Sequence, residues 1–188
     1  MNEFTTYEFA VGQRIEGKWK LARFGLISLY VLYVLSLLIL GFTAKIILPL
    51  LALIPVTTWI LVFATWRFVS VEYEYSITSG ELTFSKIYGG RSRRTILTFS
   101  LRDAVRIAPL DNGEESEKAK AYRPEHEFSA ISSLYAPDIY YAIFEHELRE
   151  GGKTKKRRTI FYFEATAKSL QICRFYNPSA TVLTKTQR

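Results

Sequence analysis

The feature that most constrains this chain is an apolar stretch, Phe24 to Trp66, that holds one charged residue in 43 positions. That residue, Lys45, divides the stretch into residues 24–44 and 46–66, each 21 residues long. A helix rises about 1.5 Å per residue, so each half spans about 30 Å, the thickness of a bilayer's hydrocarbon core. One continuous helix would be about twice too long. The pattern therefore predicts two transmembrane helices joined near Lys45.

Residues at the ends of the stretch are typical of a membrane interface. Trp19 and Lys20 precede the first predicted helix, and Trp66 and Arg67 follow the second. A secretory signal peptide is the alternative for the first helix. Its apolar region would be too long, no clear cleavage site follows, and a second apolar run comes next. We therefore predict an uncleaved helical hairpin over residues 21–67.

Basic residues predict the orientation of this hairpin. Those before the first helix are Arg14, Lys18, Lys20 and Arg23, and those after the second are Arg67, Lys86 and Arg91. The connecting loop offers only Lys45. Cytoplasmic flanks are enriched in Lys and Arg, so we predict a multi-pass protein of the cell (inner) membrane with both termini cytoplasmic.

The first twenty residues have a weaker pattern. Their large apolar residues recur at steps of three or four, namely Phe4, Tyr7, Val11, Ile15 and Trp19. Thr5-x-x-Glu8 fits a capping box. Residues 1–20 are therefore predicted to form an amphipathic helix on the membrane surface, with a frayed tail as the alternative.

From Val69 the apolar period changes from helical to two, which is typical of half-buried strands. The dipeptides Ser79-Gly80 and Gly89-Gly90 fit tight turns. The first four predicted strands cover residues 71–78, 81–88, 93–100 and 104–108.

A mixed-charge segment, residues 110–127, is predicted to be a solvated, mobile insertion. Three more strands are predicted beyond it, over residues 128–135, 139–148 and 157–165. A short helix over residues 166–175 then ends the domain, which we place at residues 68–176, and residues 177–188 form a tail.

This order of elements, four strands, three strands and a helix, resembles the pleckstrin-homology-like (PH-like) fold. The phrases Val71-Glu-Tyr-Glu-Tyr-Ser-Ile-Thr78, Arg106-Ile-Ala-Pro109 and Phe175-Tyr-Asn-Pro178 add to the resemblance. The whole chain is similar to small bacterial membrane proteins that join a two-helix anchor to such a domain. The resemblance implies a membrane α-hairpin plus a mainly-β domain. That domain would be a seven-stranded sandwich, or partly open barrel, of two nearly orthogonal sheets with a C-terminal helix at one open end.

Motifs for catalysis or metal binding do not emerge. His126-Glu127 and His146-Glu147 do not extend to HExxH, and no Asp or Cys cluster completes a ligand set. Cys173 is the single cysteine and has no histidine near it in sequence, so buried filler is its predicted role. We predict no catalytic residue, metal or cofactor, and the protein is not expected to be an enzyme.

Two basic clusters are candidate binding sites in a chain whose net charge is +7. The second strand returns toward the membrane, so Arg91, Arg93 and Arg94 are predicted near the bilayer, where they could bind anionic lipid. The second cluster comprises Lys153, Lys155, Lys156, Arg157 and Arg158. The resemblance to the PH-like fold implies that it faces the cytoplasm, where it could bind a partner. Solubilising charge is the alternative for both clusters.

Members of the family that bind inositides use basic residues around a long first loop. Here that loop is the two-residue turn Ser79-Gly80, which has no basic residue, so specific inositide recognition is not predicted. Nucleic acid is not a predicted partner, because no aromatic residues interleave the second basic cluster. The favoured hypothesis is a non-enzymatic membrane-anchored scaffold that binds a protein partner or forms a homo-oligomer. The alternatives are an anionic-lipid sensor and, less favoured, an enzyme.

Overall fold

The computed structural model describes residues 6–111, 113–133, 135–150 and 153–183. The chain divides into two compact units. The hairpin unit comprises residues 14–72 and 87–93, and the β unit comprises residues 1–13, 73–86 and 94–188.

The hairpin unit contains two helices, α1 (Gly17–Thr43) and α2 (Ile47–Thr65), and both are long and apolar enough to cross a membrane. The prediction of two apolar helices is confirmed. Lys45 lies in the turn between them with a left-handed φ of 58°. Helix α1 begins earlier than predicted, because its charged first turns continue the helix beyond the apolar stretch.

A hydrogen bond joins the two helices near the end of α2. The Thr65 hydroxyl donates to the Leu61 carbonyl oxygen at 2.6 Å and accepts the Tyr30 hydroxyl, also at 2.6 Å. At the other end, a Cβ on Gly41 would lie 2.9 Å from Ile47 Cδ1, so a small residue allows the helices to meet at the turn.

The first sheet has the order β1-β2-β3-β4. Its strands are β1 (Thr6–Gly12), β2 (Val71–Thr78), β3 (Glu81–Tyr88) and β4 (Ser92–Ser100). The predicted face of β2 is buried, and Tyr75 and Ile77 have no exposed surface. Ser79 and Gly80 both have positive φ, as a two-residue hairpin turn requires.

The strand β1 corrects the prediction for residues 1–20, because a helix was expected where residues 6–12 are extended. Tyr7, Phe9 and Val11 are the more buried residues of β1, and their neighbours are exposed. The helical spacing is a weak local signal, whereas pairing with the open edge of β2 satisfies the backbone of every second residue. Residues 1–5 of the predicted helix lie outside the described residues.

The second sheet has the order β5-β7-β8-β6, with β6 parallel to β8 and the other pairs antiparallel. Its strands are β5 (Arg106–Pro109), β6 (His126–Ser129), β7 (Ile139–Glu150) and β8 (Lys153–Glu164). Eight strands are present in the described residues, one more than predicted, because β1 joins the first sheet.

Residues 113–121 correct a second prediction, because they form a helix, α3 (Gly113–Ala121), inside the segment expected to be mobile. Glu115, only 4% exposed, accepts a hydrogen bond from Arg106 Nη2 at 2.6 Å. Ala119 is also buried. A segment with few apolar residues is ordered here because the buried Glu115 carboxylate pairs with Arg106 of β5 and Ala119 packs in a core cluster with Ala108.

The C-terminal helix α4 (Ala167–Tyr176) begins at a capping box formed by Thr166 and Ser169. Leu170, Ile172 and Cys173 form its buried face. Two sheets and one terminal helix confirm the predicted mainly-β fold class.

Candidate functional site

The candidate site lies in the hairpin unit, at the C-terminal end of α2. One face of this end presents Trp59, Val62, Phe63 and Trp66, which are spaced three or four residues apart on a helix. Together with Arg67, Gly89 and Arg91, these residues line a pocket of about 210 Å³. The pocket thus combines aromatic walls with two guanidinium groups.

Arg91 stacks on an aromatic side chain of α2. Its guanidinium carbon lies 3.6 Å from the centroid of the Phe63 ring, and the Trp59 ring packs against Phe63 at 5.3 Å. A guanidinium on an aromatic face gains a cation–π attraction and keeps the N–H groups of its edge available. Arg91 can therefore bind an anion without leaving the Phe63 ring.

Gly89 allows the turn before Arg91 to lie against α2's end. Its φ is 59°, and its N–H donates to the Ser70 carbonyl oxygen at 2.7 Å. A Cβ on Gly89 would lie 2.8 Å from Arg67 Cβ and 3.0 Å from Arg67 Cα. Only glycine combines this φ with so close an approach. The Gly89-Gly90 pair therefore has a packing role as well as a turn role.

Two further arginines lie on aromatic rings in this unit. The Arg67 guanidinium carbon is 4.7 Å from the Phe68 ring centroid, and that of Arg23 is 5.9 Å from the Trp66 ring centroid. Arg23 Nε also donates to the Val69 carbonyl oxygen at 3.1 Å. We call Arg23, Arg67 and Arg91 with these aromatic partners the arginine–aromatic cluster.

The structure brings only part of the first predicted basic cluster into the pocket. Arg91 lines it, whereas Arg93 and Arg94 are exposed on β4 and do not. Sequence reasoning missed Arg67 as a pocket residue and used it only as an interface marker and as a basic residue that indicates orientation. The signal was its position directly after Trp66 at the end of the apolar stretch.

The second predicted basic cluster lies on β8, where Glu125 forms ion pairs with two of its members, Arg157 and Arg158. The strand register sets three glutamates of β7 opposite three of its members, in the pairs Glu145–Arg158, Glu147–Lys156 and Glu150–Lys153. Arg157 Nη1 donates to Glu125 Oε2 at 2.5 Å, and this bond is the main cause that lowers the pKa of Glu125. The side chains of Lys153 and Lys155 lie outside the described residues.

Two buried ionisable groups in the β unit, Glu115 and Cys173, are held within the fold by hydrogen bonds or by burial. Glu115 accepts from Arg106, Lys118 and Tyr141, and the Arg106 hydrogen bond is the largest cause that lowers its pKa to about 2. Burial raises the pKa of the Cys173 thiol to about 12, so the thiol stays protonated. Among the described residues, no group of three His, Cys, Asp or Glu could hold a metal ion.

His126 lies on β6, half-buried, and His146 lies on β7, edge-on to the Phe144 ring at 6.4 Å. Neither histidine borders the pocket of the hairpin unit. The arrangement as a whole offers anion and aromatic contacts rather than acid–base or nucleophilic chemistry.

Two candidate membrane helices with a mainly-β domain of two sheets and a terminal helix define a membrane-associated protein of the PH-like class. The chain belongs to the bacterial PH-like domain family DUF6106, whose sequence model matches residues 3–183. The matched range includes the residues of the helical hairpin. Comparisons with curated proteins and with solved structures found no match.

Proposed function

We propose that this protein is a non-enzymatic scaffold that holds a PH-like domain at the inner face of the cell membrane. There it binds a protein partner or a second copy of itself. The observation that supports this proposal is the pairing of β1 with β2. These strands lie on either side of the hairpin in the chain, so their pairing supports a hairpin whose two ends share one side of the bilayer.

Side-chain contacts within the β unit hold β1 in place. The Phe9 and Tyr75 rings stack with centroids 4.6 Å apart, and the Ser76 hydroxyl donates to Glu8 Oε1 at 3.0 Å. Two spans with a shared side, together with basic flanks and a loop holding only Lys45, favour a cytoplasmic β unit.

The outer half of the β7–β8 ribbon supports a role in binding. β5 pairs with residues 140–143 of β7, and β6 pairs with residues 159–162 of β8. Beyond these partners, β7 and β8 continue together to Glu150 and Lys153. Within the described ranges no further strand pairs with this part of the ribbon, and unpaired strand edges can accept an added strand from another chain.

A non-enzymatic role is supported by the chemistry available in the domain. The buried carboxylate of Glu164 accepts a hydrogen bond from the Ser132 N–H at 2.5 Å, and Glu115 is held by Arg106. Cys173 is buried and protonated. These groups stabilise the fold, and membership of a PH-like family is consistent with a binding module.

Thiol labelling in protoplasts tests the side of the membrane. The native Cys173 is buried and gives a low background, so single Lys45→Cys and Glu81→Cys variants report on the loop and on an exposed residue of β3. A membrane-impermeant maleimide should label residue 45 in intact protoplasts and residue 81 only after lysis. Labelling of residue 81 from outside would contradict the proposal.

Photo-crosslinking in cells tests the binding role. A crosslinking amino acid at Glu145, exposed on β7, should form adducts with a partner or a second copy. The same amino acid at Glu81 is the matched control and should give none. A monomer without adducts from either position, in cells and after purification, would argue against a scaffold.

A further inference from the structure

The pocket at the end of α2 has the chemistry of a phospholipid site. We propose that it binds the phosphate of an anionic phospholipid, with Arg67 and Arg91 as the phosphate ligands and the α2 aromatic residues beside the lipid chains. This inference rests on the proposed function in one respect, since α2 must lie in the bilayer for the pocket to meet lipid.

Charge is the first reason. The pocket lining contains Arg67 and Arg91 and no acidic residue. Across the part of the chain that the structure describes, neither arginine lies within ion-pair distance of a carboxylate. Two guanidiniums without an internal counter-ion favour an external anion, and arginine matches the geometry of a phosphate with paired N–H donors.

Preorganisation is the second reason. The Arg91 guanidinium carbon lies over the Phe63 ring, 3.6 Å from its centroid, and Gly89 holds the preceding turn against Arg67. The two side chains are thus restrained before a ligand arrives. A restrained guanidinium loses less conformational entropy when it binds, which strengthens binding.

The aromatic contacts also indicate which headgroups fit. An aromatic cage could bind the ammonium of a zwitterionic lipid, but arginines of the protein already lie over two of the pocket's three aromatic rings. Arg91 covers Phe63, and Arg23 lies over Trp66. A headgroup with an ammonium would meet two cations and no free carboxylate, so a headgroup with net negative charge is favoured.

Size and position agree with the lipid's phosphate region. At about 210 Å³ the pocket is smaller than the sites of about 300–1,000 Å³ that enclose drug-sized ligands, and it is open to only part of a lipid. Trp59 is 64% exposed beside it, as expected of a residue that faces lipid near the interface. The lipid chains would then continue along the apolar surface of α2.

Tryptophan quenching by brominated lipid tests the site in the full-length chain. Of the three tryptophans, Trp59 and Trp66 line the pocket, so a Trp19→Phe background reports on the pocket alone. The protein is reconstituted in phosphatidylcholine vesicles with a minor fraction of phosphatidylglycerol. Bromine is placed on the chains of one lipid or the other. We expect the brominated phosphatidylglycerol to associate about fivefold more strongly than its mole fraction predicts.

Two double variants with equal loss of charge separate the pocket from general attraction. Arg67→Gln with Arg91→Gln should abolish the preference, and Arg93→Gln with Arg94→Gln should keep it. Equal loss in both variants would overturn the pocket in favour of a diffuse surface charge. If the parent protein shows no preference for phosphatidylglycerol over phosphatidylcholine, that result alone overturns the proposal.

Soluble anions distinguish the source of the phosphate. Added inorganic phosphate or glycerol phosphate should leave the quenching unchanged, and competition by either would overturn a lipid ligand. Labelling of Lys45→Cys in the same vesicles reports insertion. Correct insertion without a lipid preference overturns this inference and leaves the scaffold proposal intact, whereas a hairpin that does not insert overturns both.

Discussion

Phe9, in the strand before the hairpin, stacks on Tyr75, in the strand after it, with ring centroids 4.6 Å apart and ring planes at 16°. Tyr75 is fully buried in the β unit, so this contact ties the N-terminal strand to the domain core. In chain order, the hairpin therefore lies between two paired strands of one sheet rather than before the first strand of the domain.

Replacing Phe9 with Ala should loosen β1. The substitution removes the stacked pair and part of a half-buried surface, which we expect to destabilise the β unit by about 1–3 kcal/mol. Hydrogen exchange of the β1 amides in detergent measures the effect. Thr6→Ala, on the exposed side of the same strand, is the control and should change little. Equal exchange in both variants would contradict the role given to the Phe9–Tyr75 pair.

Stability should depend on pH through Glu115. Its pKa is lowered from 4.5 to about 2, chiefly by the hydrogen bond from Arg106. A carboxyl with a depressed folded-state pKa stabilises the fold above its unfolded value, and this contribution is lost as pH falls from about 4.5 toward about 2.

The Glu115→Gln variant should therefore be less stable than the parent at neutral pH, by about 1–3 kcal/mol. The difference should shrink as the pH falls below 4.5, measured by denaturant unfolding at a series of pH values. Glu114→Gln, exposed in the same helical turn, is the control. A difference that stays constant down to the pKa of about 2 would show that charge is not the cause.

Gly89 and Gly90 form a matched pair for testing the close approach to Arg67. Both have positive φ, so an alanine at either position costs about 1–2 kcal/mol of backbone strain. Only at Gly89 would the added Cβ meet Arg67, at 2.8 Å, whereas nothing lies within 4 Å at Gly90. Gly89→Ala should therefore be the more destabilising in thermal unfolding and should alone shift the tryptophan emission. Equal effects would exclude the packing role.

Tyr30→Phe should weaken the association of α1 with α2. It removes the hydrogen bond to Thr65 at 2.6 Å, and such bonds in membranes contribute about 0.6 kcal/mol on average. Steric trapping of the hairpin in bilayer discs measures the change. Tyr33→Phe, one helical turn further along α1, is the control. A larger loss from Tyr33→Phe would contradict the importance of the Tyr30 hydroxyl.

Some parts of this fold follow from local sequence and others do not. The two apolar helices and the buried face of β2 are visible because their patterns repeat over many residues. β1 was missed because its partner strand begins at Val71, far along the chain. In addition, only three residues of β1 lie on its more buried side, which is too few for a clear alternating pattern. Helix α3 was missed because only two of its residues, Glu115 and Ala119, are buried, which is too few to give an apolar periodicity.

The candidate site shows the same division. Arg91 could be placed near the membrane because a strand returns to where the preceding one began. Its stacking on Phe63, and the contribution of Arg67, depend on a turn packed against the end of a helix. No periodic pattern in the sequence indicates that this turn packs against the end of α2. The position of Arg158 opposite Glu145 likewise depends on the strand register.

The order of synthesis gives the β1–β2 pairing a further meaning. Residues 6–12 leave the ribosome first, but their partner strand begins only at residue 71, after both apolar helices have been made. On the proposed topology, insertion of one helix without the other would place β1 and β2 on opposite sides of the bilayer and leave the edge of β2 without its partner. Pairing of β1 with β2 in a membrane-inserted molecule would therefore report that both helices had crossed.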